Sequence, residues 1–248
     1  MKQMMLIVRK DINDIFHNRA FFMILAIAAF LIFVLTSTFN ESFHSLSAQG
    51  ANAAEMYDTA RAIISSFFLT MSFILMLMVT LYMNAYTVLL EKTKRVLESI
   101  LCTPLTVKQL WTAKTLASFI PALGLGIILS LGTIIGLNII TVEETIGRWV
   151  LPDAAFLVAG LAAIVIVYLL SSIIIMLQLM MHNVRLIQTI FTALIFGSSF
   201  GLNYAFRFSH GTWMIVYITA AVAAALGIIV WFFSTRITKE RIIMSSKG

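Results

Sequence analysis

The segment EKTKRVLESILCTPLTVKQLWTAK, residues 91–114, lies between two apolar runs that are each long enough to cross a bilayer. It contains several basic residues, two carboxylates, a Thr103-Pro104 break and a new helix start at Thr106. A passive loop between two membrane spans needs only a few polar residues. We therefore interpret residues 91–114 as a structured cytoplasmic segment at which another protein docks.

The composition decides the class of protein. Of the 248 residues, 60% are hydrophobic and 11% are charged, and the mean hydropathy is +0.99. A soluble domain of this length cannot bury so much apolar surface. Segments that cross a membrane must pair their backbone groups internally, so long continuous apolar runs indicate helices. The sequence predicts an all-α membrane protein with a single transmembrane domain, residues 1–248.

Six apolar runs are candidate transmembrane helices. The fifth is interrupted by glycine and serine residues, so we expect a short span followed by an irregular outer segment. An even number of spans places both termini on one side of the membrane. The six runs are residues 20–39, 62–90, 115–140, 154–181, 186–204 and 212–234.

The distribution of Lys and Arg predicts which side that is. If both termini are cytoplasmic, 14 of the 17 basic residues are cytoplasmic, and only Arg61, Arg148 and Arg207 lie outside. Cytoplasmic loops of membrane proteins retain Lys and Arg. We therefore predict cytoplasmic termini in a plasma-membrane protein. The net charge of +6 then reflects topology and attraction to lipid headgroups, not nucleic-acid binding.

Residues 1–19 have an amphipathic pattern of helical period. The apolar face is followed directly by the first span, which predicts an interfacial elbow helix that lies along the cytoplasmic surface of the membrane. A solvated leader with chance periodicity is the alternative. The apolar arc holds Met1, Met4, Met5, Val8, Ile12, Ile15 and Phe16, and the opposite face holds Lys2, Arg9, Lys10, Asn13, Asp14 and His17.

The central segment reads as two helices with a break between them. We expect a helix over residues 91–102, because Lys94 and Glu98 have i,i+4 spacing beside an apolar stripe. Pro104 ends it, since the residue before a proline avoids helical angles. Thr106 and Gln109 have the spacing of a capping box that starts the next helix.

This pattern resembles the cytoplasmic signature of ABC type-2 export permeases. In that family the second span runs into a Glu-rich charged helix with a Leu-Glu pair, followed by a Thr-Pro break and a Lys near the third span. The resemblance covers the whole chain, with the elbow helix, six spans and cytoplasmic termini. The matching positions are Glu91, Leu97-Glu98, Thr103-Pro104 and Lys114, whereas Lys94-Arg95-Val96 replaces the Gly-Thr that many members carry.

The resemblance implies a partner ATPase. Such permeases dimerise, as homodimers or with a related permease, and dock on a separate ATP-binding subunit that holds ATP and Mg. This chain has no Gly-x4-Gly-Lys-Ser/Thr loop, so we expect it to bind no cofactor and to be a non-catalytic subunit. The implied docking residues are Glu91, Lys94, Arg95, Glu98, Thr103 and Pro104, with Arg9 and Lys10 of the elbow helix as a second contact.

Away from their ends, the six runs contain no Asp, Glu, Lys or Arg. Ion-coupled transporters usually need an intramembrane carboxylate or its equivalent, so we expect the energy for transport to come from outside the membrane. Asn84, Gln178 and Gln188 either line a translocation path or form interhelical hydrogen bonds. The four histidines stand in separate segments without metal-ligand spacing, and we predict no metal site.

Three functional classes stay open at this point. The first is a permease subunit that exports a lipid, drug-like or peptide substrate with energy from a partner ATPase. The second is an ion-coupled secondary transporter or a channel. The third is a membrane enzyme or an assembly scaffold, although the sequence shows no clustered nucleophile, base or metal site.

Overall fold

The computed structural model describes residues 2–48, 53–94, 96–101, 105–181 and 212–235, with a few positions between 186 and 197. Every regular element in these ranges is helical. The helices are α1 (Lys2–Phe16), α2 (Arg19–Ala48), α3 (Ala53–Thr93), α4 (Val96–Leu101), α5 (Val107–Leu137), α6 (Glu143–Ile146), α7 (Ala154–Met180) and α8 (Thr212–Ser234), and a π-helical turn (Asn138–Val142) joins α5 to α6.

Five of these helices are long and apolar enough to cross a membrane. They correspond to the first, second, third, fourth and sixth predicted runs, and the last of these has the predicted bounds of 212–234. The chain therefore has the architecture of a multi-pass, all-helical membrane protein. The fifth predicted run, 186–204, lies largely outside the described residues. Six spans and the side on which the termini lie stay predictions.

Helices α3, α5 and α7 form the centre of the bundle. α3 packs against both α5 and α7, α8 packs on α7, and α1 packs on the first half of α5. In the most apolar part of α3, 61% of the residues are buried, against 14% in α2 and 11% in α8. α2 and α8 therefore present most of their apolar side chains outward, as membrane helices in contact with lipid do.

The end of α5 turns back toward α7 through a short, tightly bonded connection. Asn138 donates from Nδ2 to the carbonyl oxygen of Val150 at 3.0 Å, and its Oδ1 accepts from the Val150 amide at 2.8 Å. Gly147 ends α6 with a φ of 70°, a left-handed conformation that glycine adopts without strain. This connection fixes the end of the bundle that is opposite to residues 91–114.

The predicted helix over residues 91–102 is divided in the structure. α3 continues to Thr93, Lys94 lies in a turn, and α4 occupies Val96–Leu101. The last turn of α3 is anchored by Glu91 and Lys92, which bond to α5 and to the end of α7. The turn at Lys94 follows these contacts directly and separates α3 from α4. The expectation of one uninterrupted helix was wrong.

Candidate functional site

Residues 91–114 and α1 meet at one end of the bundle. We use the name charged corner for the last turn of α3 with the following Lys94, for α4, for the first two turns of α5, and for α1, which packs against α5 and α3. The start of α5 is fixed locally: Thr106 Oγ1 accepts from the Gln109 amide at 3.2 Å, and Gln109 Oε1 accepts from the Thr106 amide at 3.1 Å. The predicted capping box is confirmed.

A buried ion cluster lies at the centre of the charged corner. The Lys114 ammonium donates to Asp11 Oδ2 and to Glu91 Oε1, each at 2.6 Å. The side chains of Lys114, Asp11 and Glu91 are 1%, 4% and 11% exposed. Because Asp11 belongs to α1, Glu91 to α3 and Lys114 to α5, one buried cation joins three helices.

With both carboxyl groups ionised, the cluster would have one more negative charge than it has positive charge. A single ammonium faces two carboxylates, and Glu91 Oε2 is buried with no hydrogen-bond partner. Burial raises the pKa of the Glu91 carboxyl, and the nearby Lys114 ammonium opposes that effect only in part. The Glu91 carboxyl therefore holds a proton more readily than an exposed glutamate does.

Two further hydrogen bonds connect the charged corner to α7. Lys92 Nζ donates to the carbonyl oxygen of Met181 at 2.8 Å, just past the end of α7. Partial burial lowers the pKa of the Lys92 amine to about 8. Trp111 Nε1 donates to the carbonyl oxygen of Ser172 at 2.9 Å. The charged corner is thus bonded to all three central helices.

A cleft of about 570 Å³, lined mostly by polar and charged residues, opens beside the cluster. Both carboxylates of the cluster lie on its wall, and the other ionisable side chains around it come mostly from α1 and the start of α2. Its lining comprises Lys10, Asp11, Asp14, His17, Asn18, Arg19, Thr87, Glu91, Lys94 and Val96. The cleft gives water and small solutes access to the edge of the ion cluster.

The predicted docking residues fall into three groups. Arg9, Lys10 and Lys94 are exposed on the charged corner. Glu91 is buried in the ion cluster, where it joins α3 to α5 through its contact with Lys114. Glu98 lies in α4, but its side chain is outside the described part of the structure, as are Arg95, Thr103 and Pro104.

Of the polar residues predicted within the spans, Asn84 takes part in contacts between helices. Asn84 Nδ2 donates to Ser171 Oγ at 3.4 Å, and Ser171 Oγ lies 3.2 Å from Ser118 Oγ. These contacts join α3, α7 and α5. Gln178 is fully buried, and neither polar atom of its side chain has a hydrogen-bond partner. Gln188 lies outside the described residues.

The sequence reasoning did not assign Asp11 to the functional site, and it gave Lys114 as a position of the family signature but not as a docking residue. Asp11 lies three residues after Val8 and four before Ile15, so it belongs to the buried stripe of α1. Lys114 lies between the buried residues Ala113 and Thr115. The available signals were an acidic residue, Asp11, on the packed face of α1 and a basic residue, Lys114, on the packed face of α5. The sequence did not show that the two would meet.

Comparison with protein-family models, curated proteins and solved structures finds no match to this chain.

Proposed function

We propose that this chain is the membrane-embedded permease subunit of an ATP-driven exporter in the plasma membrane. In this proposal a separate ATP-binding subunit, which holds ATP and Mg, docks on the charged corner. The permease pairs with a second copy of itself or with a related permease. Its substrate is a lipid, a drug-like compound or a peptide.

The observation that supports the proposal most is the buried contact of Lys114 with both α1 and α3. Breaking a buried ion pair leaves an uncompensated charge and costs several kcal/mol. The three helices joined by Lys114 should therefore move together when a partner displaces the charged corner. The bond from Lys92 to Met181 extends this connection to α7. A docked ATPase would act on the core of the bundle through these contacts.

The exposed charges of the same region also favour docking. Arg9, Lys10 and Lys94 are exposed on the charged corner and outnumber the exposed Asp14, while the carboxyl groups of Asp11 and Glu91 are buried against Lys114. A positively charged surface complements an acidic cleft on a partner and speeds association. The charged corner thus combines buried ion pairs, which join its helices, with exposed cations that can contact another protein.

Site-specific photocrosslinking tests the proposal in the native membrane. A photoreactive residue in place of the exposed Lys94 or Lys108 should form an adduct with a protein that carries a Gly-x4-Gly-Lys-Ser/Thr loop. The matched controls are the exposed residues Glu41 and Arg148 at the opposite end of the bundle, which should give no such adduct. Adducts of equal yield at both ends, or none at Lys94 and Lys108, would reject docking at the charged corner.

One observation favours a second candidate, an ion-coupled transporter. The ion cluster places two carboxylates in a buried position at the end of the spans, and such groups often bind coupling ions in transporters. The purified chain in liposomes would then move solute down an imposed proton or sodium gradient without nucleotide. Transport that needs a partner ATPase and ATP would exclude this candidate.

A further inference from the structure

The charge balance of the ion cluster requires one more positive charge. Asp11 and Glu91 share a single ammonium, and the three side chains are almost completely buried. A net charge in such a place is costly, and a protein relieves the cost by pairing or neutralising the group. We therefore consider whether another charged side chain around the cluster supplies the missing positive charge.

Among the described residues, the other charged side chains around the cluster line the cleft beside it and form no ion pair with Asp11 or Glu91. Lys10 contributes only weakly to the environment of Glu91, behind Lys114 and Asp11. The ion pairs of Lys114 involve only the two carboxylates of the cluster. The titratable or charged groups that surround Glu91 are Lys10, Asp11, Asp14 and His17 of α1, Arg19 of α2, Lys94 after α3 and Lys114 of α5.

The free oxygen of Glu91 identifies where a neutralising cation would bind. Oε1 accepts from Lys114, whereas Oε2 is buried without a partner. A metal ion needs several oxygen ligands, and no group of three His, Cys, Asp or Glu side chains suitable for a metal occurs in the described ranges. A proton needs only one oxygen, and it would not have to lie beside the Lys114 ammonium.

We propose that the Asp11–Glu91–Lys114 cluster is a proton-binding site, in which one proton taken from water in the cleft resides on Oε2 of Glu91. The proton forms an O–H bond on the carboxylate, and the bond that breaks is an O–H bond of a hydronium ion in the water of the cleft, which is left as neutral water. The product is a neutral cluster of one carboxylic acid, one carboxylate and one ammonium. The raised pKa of Glu91 agrees with this assignment.

Proton binding is linked to the position of α1. If α1 moves away and removes Asp11, the remaining Glu91–Lys114 pair is neutral without the extra proton. Return of α1 then takes up one proton, so lower pH favours the docked position of α1. The exporter proposal does not require this linkage, and the proton site does not require a partner ATPase.

Infrared spectroscopy of the purified full-length chain tests the site directly. In a pH titration, we expect a protonated-carboxyl C=O band that persists above the pH range of exposed carboxylates. Glu91→Gln should remove this band. Asp11→Asn should shift its titration to lower pH, because the cluster then carries no excess negative charge. Asp14→Asn, a change of an exposed carboxylate in the same cleft, should leave the band unchanged.

Several results would overturn the proposal. A wild-type spectrum without the band, or a band that persists in Glu91→Gln, would place no proton on Glu91. A band with the same titration in Asp11→Asn would show that the charge count of the cluster is not its cause. A band that is lost when sodium chloride replaces choline chloride at constant pH would identify a metal cation as the ligand. Should Glu91→Gln fail to fold, the comparison of Asp11→Asn with Asp14→Asn still decides the question.

Discussion

At the scale of single residues, Lys114 determines how the charged corner holds together. Its ammonium is buried and bonded to carboxylates on two other helices. Such a group matters for stability mainly because its removal leaves its charged partners buried and unpaired. A buried pair contributes little beyond an apolar replacement, but a single partner left alone in the interior is strongly destabilising.

Lys114→Met should therefore destabilise the protein by about 3–5 kcal/mol, because it leaves the carboxyl groups of Asp11 and Glu91 buried without the cation that both contact. Thermal unfolding in detergent, followed by circular dichroism, measures the loss. Lys108→Met is the matched control, since Lys108 is exposed in the first turn of the same helix and should have little effect. The triple variant Asp11→Asn/Glu91→Gln/Lys114→Met should recover most of the stability. Equal effects of the two single variants would contradict a central role for the ion cluster.

Lys92 gives a prediction for pH. Its pKa is lowered to about 8 from an ordinary value of 10.5, so the folded state binds this proton less tightly than the unfolded state does. The stability contributed by this group is present above pH 10.5 and is lost as the pH falls toward 8. The unfolding temperature of the wild type should thus rise with pH in this window more than that of Lys92→Gln. Lys94→Gln, a change at an exposed neighbour, should behave as the wild type, and parallel curves for all three proteins would refute the assignment.

Local signals predicted some of these residues correctly. The Thr106–Gln109 capping box could be predicted because both partners lie within one helical turn. The pair of Lys114 with Asp11 could not, because the two residues are 103 positions apart and only the packing of α1 on α5 brings them together. Glu91 was assigned to a docking surface because its position in a charged segment does not reveal that its side chain points inward.

At the scale of helices, the apolar runs predicted the existence of the helices better than they predicted the residues at which the helices begin and end. α7 begins at the predicted residue and α8 has both predicted bounds, whereas α3 extends beyond its apolar run at both ends and α5 begins before its run, at Val107, and ends at Leu137. The extensions carry Glu91, Lys92 and Lys114, whose charges end an apolar run without ending a helix. Hydropathy measures transfer into lipid, and a charged residue that is paired within the protein does not have to leave the helix.

The contact between α3 and α5 gives a prediction at this scale. Gly126 of α5 is buried, and a side chain at this position would collide with Cγ of Met76 on α3. Gly126→Leu should lower the free energy of unfolding by about 1–3 kcal/mol through overpacking. Gly124→Leu is the control, since a side chain there meets nothing within 4 Å. Denaturation in detergent measures both, and similar losses for the two variants would show that the helices do not approach closely at Gly126.

At the scale of the whole molecule, the structure combines a buried core with outer helices. α3, α5 and α7 form the core, and the charged corner at one end is bonded to each of them. α2 and α8 are largely exposed along their apolar lengths. Under the proposed function, displacement of the corner by an ATPase would move the core helices relative to these outer helices. This mechanism is consistent with the resemblance to ABC type-2 permeases. The mechanism stays a proposal.

The most direct test of the central proposal is affinity purification of the tagged chain from its native membrane in mild detergent. We predict that a protein with a Gly-x4-Gly-Lys-Ser/Thr loop co-purifies at about a 1:1 ratio, as expected of paired subunits. The charge reversal Lys94→Glu on the exposed cationic surface should remove it, whereas Arg148→Glu, a change of an exposed residue at the opposite end of the bundle, should not. Intact, folded chain that carries no such ATPase would contradict the proposal, as would an ATPase that stays bound equally in both variants.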